Sequence, residues 1–500
     1  MDRYVLPEGR NPYGTALTRQ EGTQAQVTCD NQPSHSFDIR TLIPDDQNKL
    51  PHPLADPVTY GKAIYAALFP PQTAASHALA NAPERILFVT TDDDLDAIPW
   101  EYAYGPYGTD DTDDFLVLAC HIVRGLPVGQ RIDPPKLESG LHIIAVPSNP
   151  LSRHIAPLNI DGEWQRLKDD IQQVPYALTL ERTRPPTMEQ TRRLLANQRQ
   201  RVIHFMGHGG QDEKQGAFLC FEKENGTLDA VTAREFIRRV RGTVFLVTLN
   251  ACVSATPGET RFGNFAAALA RQKIPYALGM RFSIVDEDAR DFSRAFYSEL
   301  ARGISVEEAL FQARQTLADS PQNWVIGVPV LYTSLAAPAP GFTCPAGTPT
   351  VAEHQARMEV SNLSRALGTF QGRINELIEL GGHLTGDQCP GLLTIHGSGG
   401  QGKTALAREA VERFAWAWPG GAYATSLENL PTWEVLITDL ARFLNLAPQQ
   451  ITDPAELERQ VLSQLAQQRT LIVLDNAETL VEAVQATKPP TAWHNYCKSD

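Results

Sequence analysis

A histidine and a cysteine each stand where an apolar run gives way to small residues. One run reads Val202-Ile203-His204-Phe205-Met206-Gly207-His208-Gly209-Gly210, the other Val244-Phe245-Leu246-Val247-Thr248-Leu249-Asn250-Ala251-Cys252. A thiol attacks a carbonyl carbon as the thiolate, and a neighbouring imidazole can take its proton and later protonate a leaving amine. His208 and Cys252 are therefore candidates for a nucleophilic pair. The backbone N–H groups of Gly209 and Cys252 are the candidate donors to an oxyanion. The reaction class is acyl transfer, most simply peptide-bond hydrolysis. Taken singly, such a cysteine is ordinarily a small buried hydrophobe and such a histidine a turn residue. The same arrangement occurring twice is what favours chemistry. His204, on the opposite side of its strand, reads as core, and so does Cys220.

A second set of residues suits phosphate. Gly397-Ser398-Gly399-Gly400-Gln401-Gly402-Lys403-Thr404 fits G-x-x-x-x-G-K-[ST], between an apolar run at 392–395 and a helical pattern at 405–414. Its glycines let successive N–H groups converge on phosphate oxygens at a helix N-terminus. In such a loop Lys403 reaches the β and γ phosphates and Thr404 holds Mg²⁺. The run at 470–474 ends in Asp475-Asn476-Ala477-Glu478, which resembles a Walker B segment with Asp475 on the metal. Asn476 stands where many nucleotide hydrolases carry a second acid, so Glu478 is the candidate for orienting water and slow turnover is expected. The implied cofactors are ATP or ADP with Mg²⁺.

Both sets need a sheet to position them. Apolar runs at 85–90, 141–146, 201–205 and 244–249, with a weaker one at 276–279, alternate with helical patterns at 58–68, 288–300 and 306–317. That alternation predicts an α/β fold with a parallel sheet, whose strand ends present the reactive side chains. A strand at 392–395, a helix from Lys403 and a strand at 471–474 predict a second α/β domain. Between them, residues 334–350 (SLAAPAPGFTCPAGTPT) have the composition of an extended, exposed linker. The expected organisation is a lead-in at 1–38, a first domain at 39–333, a linker at 334–360 and a second domain at 361–500.

Composition narrows the function classes. With 44 basic against 58 acidic residues the formal charge is −14, which disfavours a coat for nucleic acid or anionic lipid. The 42% of hydrophobic residues suffices for sizeable cores. No apolar run approaches the roughly 20 residues of a membrane span, and Met1-Asp2-Arg3-Tyr4-Val5 does not open a signal peptide. Seven scattered cysteines without C-x-x-C spacing speak against a disulfide framework or a zinc site, and for a reducing cytoplasm.

The GHGG at 207–210 and the LNAC at 249–252 resemble the CHAT domain, a caspase-like and separase-like cysteine peptidase module of prokaryotic proteins. Further segments agree in order: Ile98-Pro99-Trp100-Glu101, Val285-Asp286-Glu287-Asp288-Ala289, Phe296-Tyr297-Ser298-Glu299-Leu300 and Gly303-Ile304-Ser305-Val306-Glu307-Glu308-Ala309. The resemblance covers roughly residues 39–333. It implies a caspase-like, mostly parallel sheet flanked by helices, with His208 and Cys252 as the dyad. Asn250 stands where the family often has serine. Asp286 is a specificity candidate, able to pair with an Arg or Lys of the substrate as in separase. The other reading is that it caps the following helix. Trp100 and Glu101 read as structural.

Phe370-Gln371-Gly372-Arg373-Ile374-Asn375-Glu376-Leu377 resembles the GRxxEL segment of STAND NTPases, relatives of the NB-ARC and NACHT groups. This resemblance covers residues 361–482 and implies a nucleotide-held switch that oligomerises on activation. Few residues follow Asp475, so an incomplete P-loop domain is expected, with Asp500 as a truncation point of a longer protein. The expected whole is a cytoplasmic cysteine endopeptidase under an ATP-binding switch, acting on an unidentified protein in bacterial signalling, defence or regulated cell death. Two alternatives stay open: an inert caspase-like protein-binding module on a nucleotide-binding regulator, or a regulator whose activity is nucleotide hydrolysis itself.

Overall fold

Near-continuous apolar runs are what strands buried on both faces require, and here they assemble into one wide sheet. The computed structural model describes residues 13–19, 23–29, 32–44, 50–90, 93–137, 140–196, 201–212, 214, 216–251, 262–282, 284, 286–353, 358–359, 370, 372–386 and 390–479. The chain divides into two units. The first comprises Met1–Asn149, Ala156–Phe221 and Asp229–Glu353, and the second comprises His354–Asp500 with the short stretches Pro150–Ile155 and Glu222–Leu228.

Among the described residues, twelve strands form the sheet of the first unit. They are β1 Tyr13–Arg19, β2 Gln24–Cys29, β3 Gln32–Asp38, β4 Arg85–Thr90, β5 His121–Gly125 and β6 His142–Pro147. They continue with β7 Thr179–Arg182, β8 Arg201–Gly207, β9 Val244–Ala251, β10 Tyr276–Met280, β11 Pro329–Thr333 and β12 Thr350–Glu353. Their order is β12-β7-β6-β8-β9-β10-β11-β5-β4-β1-β2-β3. Only β10–β11, β1–β2 and β2–β3 are antiparallel. The mostly parallel α/β sheet expected from the sequence is what forms.

Helices cover both faces. They include α1 Pro57–Leu68, α2 Ile160–Gln172, α3 Phe262–Arg271, α4 Asp286–Arg302 and α5 Val306–Leu317. Val202, Met206 and Leu246 pack on one face with Leu167 and Ile171 of α2 and with Phe296 and Tyr297 of α4. Ile203, Phe205, Val247 and Leu249 face the other way, into a cluster with Phe265 and Leu269 of α3. Local signals set the helix starts: Asp56 Oδ1 accepts from the Thr59 N–H ahead of Pro57, and Ser305 Oγ accepts from the Glu308 N–H.

Three sequence expectations change. Part of the lead-in is not loose: β1 runs parallel to β4, and β2 alternates so that Ala25, Val27 and Cys29 are buried. Gln24, Gln26 and Thr28 occupy the other face of β2, which lowered the apparent hydrophobicity. Residues 334–353 are also not an exposed linker. Leu335, Ala339 and Phe342 are buried, the Phe342 ring lies edge-on to Phe245 at 5.4 Å, and β12 pairs with β7. A fully buried phenylalanine contributes roughly 2 kcal/mol. The small residues there allow close approach: a Cβ on Gly341 would lie 2.0 Å from the Gly303 carbonyl oxygen.

The third change concerns the second unit. Its described strands are β13 Met358–Glu359, β14 Ala422–Ser426 and β15 Leu471–Asp475, all parallel. Residues 392–395, expected as a strand, lie outside this sheet, and Leu392 is 84% exposed. A strand exists only through hydrogen bonds to a neighbour. Among the described residues β15 pairs with β14 alone, and its Ile472 and Leu474 are exposed. The helices are α6 Ile374–Thr385, α7 Lys403–Phe414, α8 Trp433–Phe443 and α9 Pro454–Gln467. Leu377, Leu380 and Leu384 of α6 meet Leu406, Ala410 and Phe414 of α7 in one core cluster of the unit. Among the described residues of the chain, no helix is long and apolar enough to cross a membrane.

Candidate functional site

β8 and β9 lie side by side, parallel, with His204 opposite Thr248, Met206 opposite Asn250 and Gly207 opposite Ala251. Gly207 and Ala251 are thus abreast, and they immediately precede His208 and Cys252 in the chain. Cys252 itself lies outside the described residues. So does the side chain of Asp286, whose backbone opens α4.

His208 is half-buried at the carboxyl end of β8. Its Nε2 lies 2.8 Å from the carbonyl oxygen of Ala156. A carbonyl only accepts, so Nε2 carries the hydrogen and donates it. In the neutral ring Nδ1 is then the unprotonated, basic nitrogen. Backbone thus selects the tautomer, and no side-chain pattern in the sequence marks Ala156 for that task.

The glycines around His208 answer to the protein's own packing. A Cβ on Gly207 would lie 2.8 Å from the Ser148 carbonyl oxygen, and one on Gly210 would lie 2.3 Å from the Phe218 ring. Gly209 begins a short strand, Gly209–Asp212, antiparallel to Gly216–Glu222. The Cys220 N–H donates to the His208 carbonyl at 2.9 Å, next to the Gly209–Leu219 pair. Hydrogen-bonded and non-hydrogen-bonded pairs alternate along such a ladder, so the Gly209 N–H points away from it, as an oxyanion donor must.

The residues read as core or structural are buried, but His204 does not lie on the opposite side of β8 from the series that leads to His208: it shares the face of Val202 and Met206, against Tyr297 of α4. Cys220 is buried, and burial pushes its thiol up to about 11, which keeps it inert at neutral pH. Trp100 is buried and its Nε1 donates to the Leu95 carbonyl at 2.9 Å. Both carboxyl oxygens of Glu101 accept from Arg124, at 2.9 and 2.7 Å. Arg124 sits mid-sheet on β5, a partner that only the fold identifies.

The phosphate loop keeps the expected local form. Gly400 and Gly402 both have φ of 76°, a left-handed backbone that glycine adopts without strain, and α7 starts at Lys403. Ser398, Gly399 and Gln401 lie exposed on the loop. Lys403 Nζ folds back to donate to the carbonyls of Gly397 (3.0 Å) and Ser398 (3.3 Å). Thr404 Oγ1 donates to Asp475 Oδ2 at 2.8 Å, so the two expected metal-side groups meet. Arg373 Nη1 donates to the Gln401 carbonyl at 2.9 Å, and its Nε to Glu376 Oε1 at 3.1 Å. The GRxxEL segment is thereby latched to the phosphate loop. Asn476 takes a left-handed φ of 57° and its Nδ2 donates to Ser426 Oγ at 3.0 Å; Glu478 is exposed nearby in sequence. Glycine backbone, a lysine and a hydroxyl–carboxylate pair at a helix start fit a magnesium-bound nucleotide.

The CHAT domain family matches residues 58–358, and an AAA domain family matches residues 387–496. Two solved structures of the Saccharomyces cerevisiae separase–securin complex, at 2.6 and 3.0 Å resolution, are similar to it at 16% and 17% identity. They cover 59% and 54% of this chain, each with a TM-score of 0.31. The chain in turn spans 17% and 16% of the length of those chains. No curated protein matches the chain.

Proposed function

This chain belongs to the CHAT domain family, and from that premise we propose that it is a cysteine endopeptidase in which His208 and Cys252 are the working pair. The observation that supports this reading is the pairing of Gly207 with Ala251 on adjacent parallel strands, the two residues that immediately precede the candidates in the chain. With Nε2 committed to Ala156, Nδ1 of His208 accepts the thiol proton and the thiolate adds to the peptide carbonyl. The N–H groups of Gly209 and Cys252 stabilise the oxyanion. Collapse expels the amine, which takes its proton from the imidazolium, and water then cleaves the thioester. Asp286 would receive a basic side chain before the scissile bond.

The second unit acts in this reading as a STAND-like switch. Gly397, Ser398, Gly399, Gly400, Gln401, Gly402 and Lys403 would cradle the phosphates of ATP or ADP, and Thr404 with Asp475 would hold Mg²⁺. The ion would neutralise phosphate charge. Glu478 is the group left to orient water, which suits slow turnover and a switch rather than a motor. Homo-oligomerisation on activation, a protein substrate and a cytoplasmic location complete the proposal.

A peptide-ketone probe with arginine before its reactive group tests it on the full chain. Labelling that disappears in Cys252→Ala and in His208→Ala is expected. Equal labelling of the wild type and His208→Ala overturns the dyad. A probe with aspartate in that place that labels better than the arginine probe overturns the specificity.

A further inference from the structure

Behind the candidate pair lies a polar triangle that the chemistry above does not use. His204 Nδ1 on β8 lies 2.6 Å from Tyr297 Oη on α4 and 2.9 Å from Thr248 Oγ1 on β9. The two hydroxyls are 2.9 Å apart, and Thr248 Oγ1 also lies within hydrogen-bond reach of the Ile203 carbonyl at 3.2 Å. The three residues are 4%, 1% and 4% exposed, in the order His204, Tyr297 and Thr248. Burial lowers the His204 imidazole to about 4 and raises the Tyr297 phenol above its usual range, so the cluster is uncharged at neutral pH.

Such a cluster in an apolar layer is satisfied in one arrangement only. A slip of one residue in β8 or β9 turns His204 or Thr248 to the opposite face, and a shift of α4 withdraws the phenol. His204 and Thr248 each stand four residues before a member of the candidate pair, and α4 opens at Asp286 three turns before Tyr297. One buried cluster therefore ties together β8, β9 and α4, the strands that precede His208 and Cys252 and the helix that opens at Asp286.

We propose that Tyr297 is a positioning residue, which through His204 and Thr248 holds the ends of β8 and β9 in the setting that brings His208 to Cys252. This inference rests on the dyad reading above. Its readout is the rate of Cys252 alkylation by iodoacetamide across a pH series, resolved by peptide mass in the full chain. The wild-type midpoint should lie below that of His208→Ala. Tyr297→Phe and Thr248→Val should move towards His208→Ala and slow the neutral-pH reaction about tenfold, the scale of a small misplacement of reacting groups. Thr248→Ser, which restores the hydroxyl, should keep the wild-type profile. Should Tyr297→Phe fold poorly, the comparison of Thr248→Val with Thr248→Ser decides on its own. Wild-type profiles in both Tyr297→Phe and Thr248→Val overturn this inference alone. A wild type that matches His208→Ala overturns the dyad, and this inference with it.

Discussion

Thr404 Oγ1 and Asp475 Oδ2 share a 2.8 Å hydrogen bond although 70 residues of chain separate their positions. One closes the phosphate loop at the start of α7 and the other ends β15, so the bond joins the two halves of the expected metal site. In P-loop NTPases that hydroxyl and that carboxylate hold Mg²⁺ beside the nucleotide, and in the reading proposed above this pair would do so.

Thr404→Ala and Asp475→Asn should each weaken Mg²⁺-nucleotide binding at least about tenfold, or about 1.4 kcal/mol. Binding without Mg²⁺ should change little, because Lys403 and the loop N–H groups remain. Titration of a fluorescent nucleotide with and without the ion checks this. Equal losses in both conditions would assign the pair a structural role only.

The buried His204 makes stability depend on pH. Its folded-state value of about 4 lies below the ordinary 6.5, so the unfolded chain binds more protons in between. The stabilisation is complete above the unfolded value and declines as pH falls from 6.5 towards 4, by up to about 3 kcal/mol. Urea unfolding at a series of pH values should show this slope in the wild type. It should be reduced in His204→Gln, whose amide does not titrate.

Glu101 and Arg124 form an ion pair with both side chains 1% exposed. Burial by itself would raise the Glu101 carboxyl, but the Arg124 guanidinium outweighs it and holds the group below its ordinary value. Glu101→Ala removes the bidentate one of two carboxylates that face the buried guanidinium, leaving Asp96 Oδ1 at 3.2 Å, and should cost about 3 kcal/mol. Glu101→Gln, whose amide oxygen can keep one of the two hydrogen bonds from Arg124, should cost less. Thermal unfolding of both variants against the wild type measures the difference, and equal costs would show that the remaining hydrogen bond contributes nothing once the charge is gone.

Much of the candidate site could be read from the sequence because its signals are local. Glycines beside His208, a thiol after an apolar run, and the spacing of Gly397, Gly402, Lys403 and Thr404 all lie within short windows. A parallel strand also announces itself, since burial on both faces demands a continuous apolar run such as 244–249. Half-polar strands and packed small residues send weaker signals. That is why residues 13–38 resembled a lead-in and 334–350 a linker, and why the apolar run at 392–395 resembled a strand.

The sequence by itself determined the chemistry on offer, the strand ends that present it and the phosphate loop. Tertiary structure alone decided which groups meet: Ala156 with His208, Tyr297 with His204 and Thr248, Arg124 with Glu101, Thr404 with Asp475. The reason is physical. Propensity and periodicity act over a few neighbours along the chain, whereas a hydrogen bond or ion pair depends on distance in space. Residues far apart in sequence reach that distance only when sheet register and helix packing bring them there.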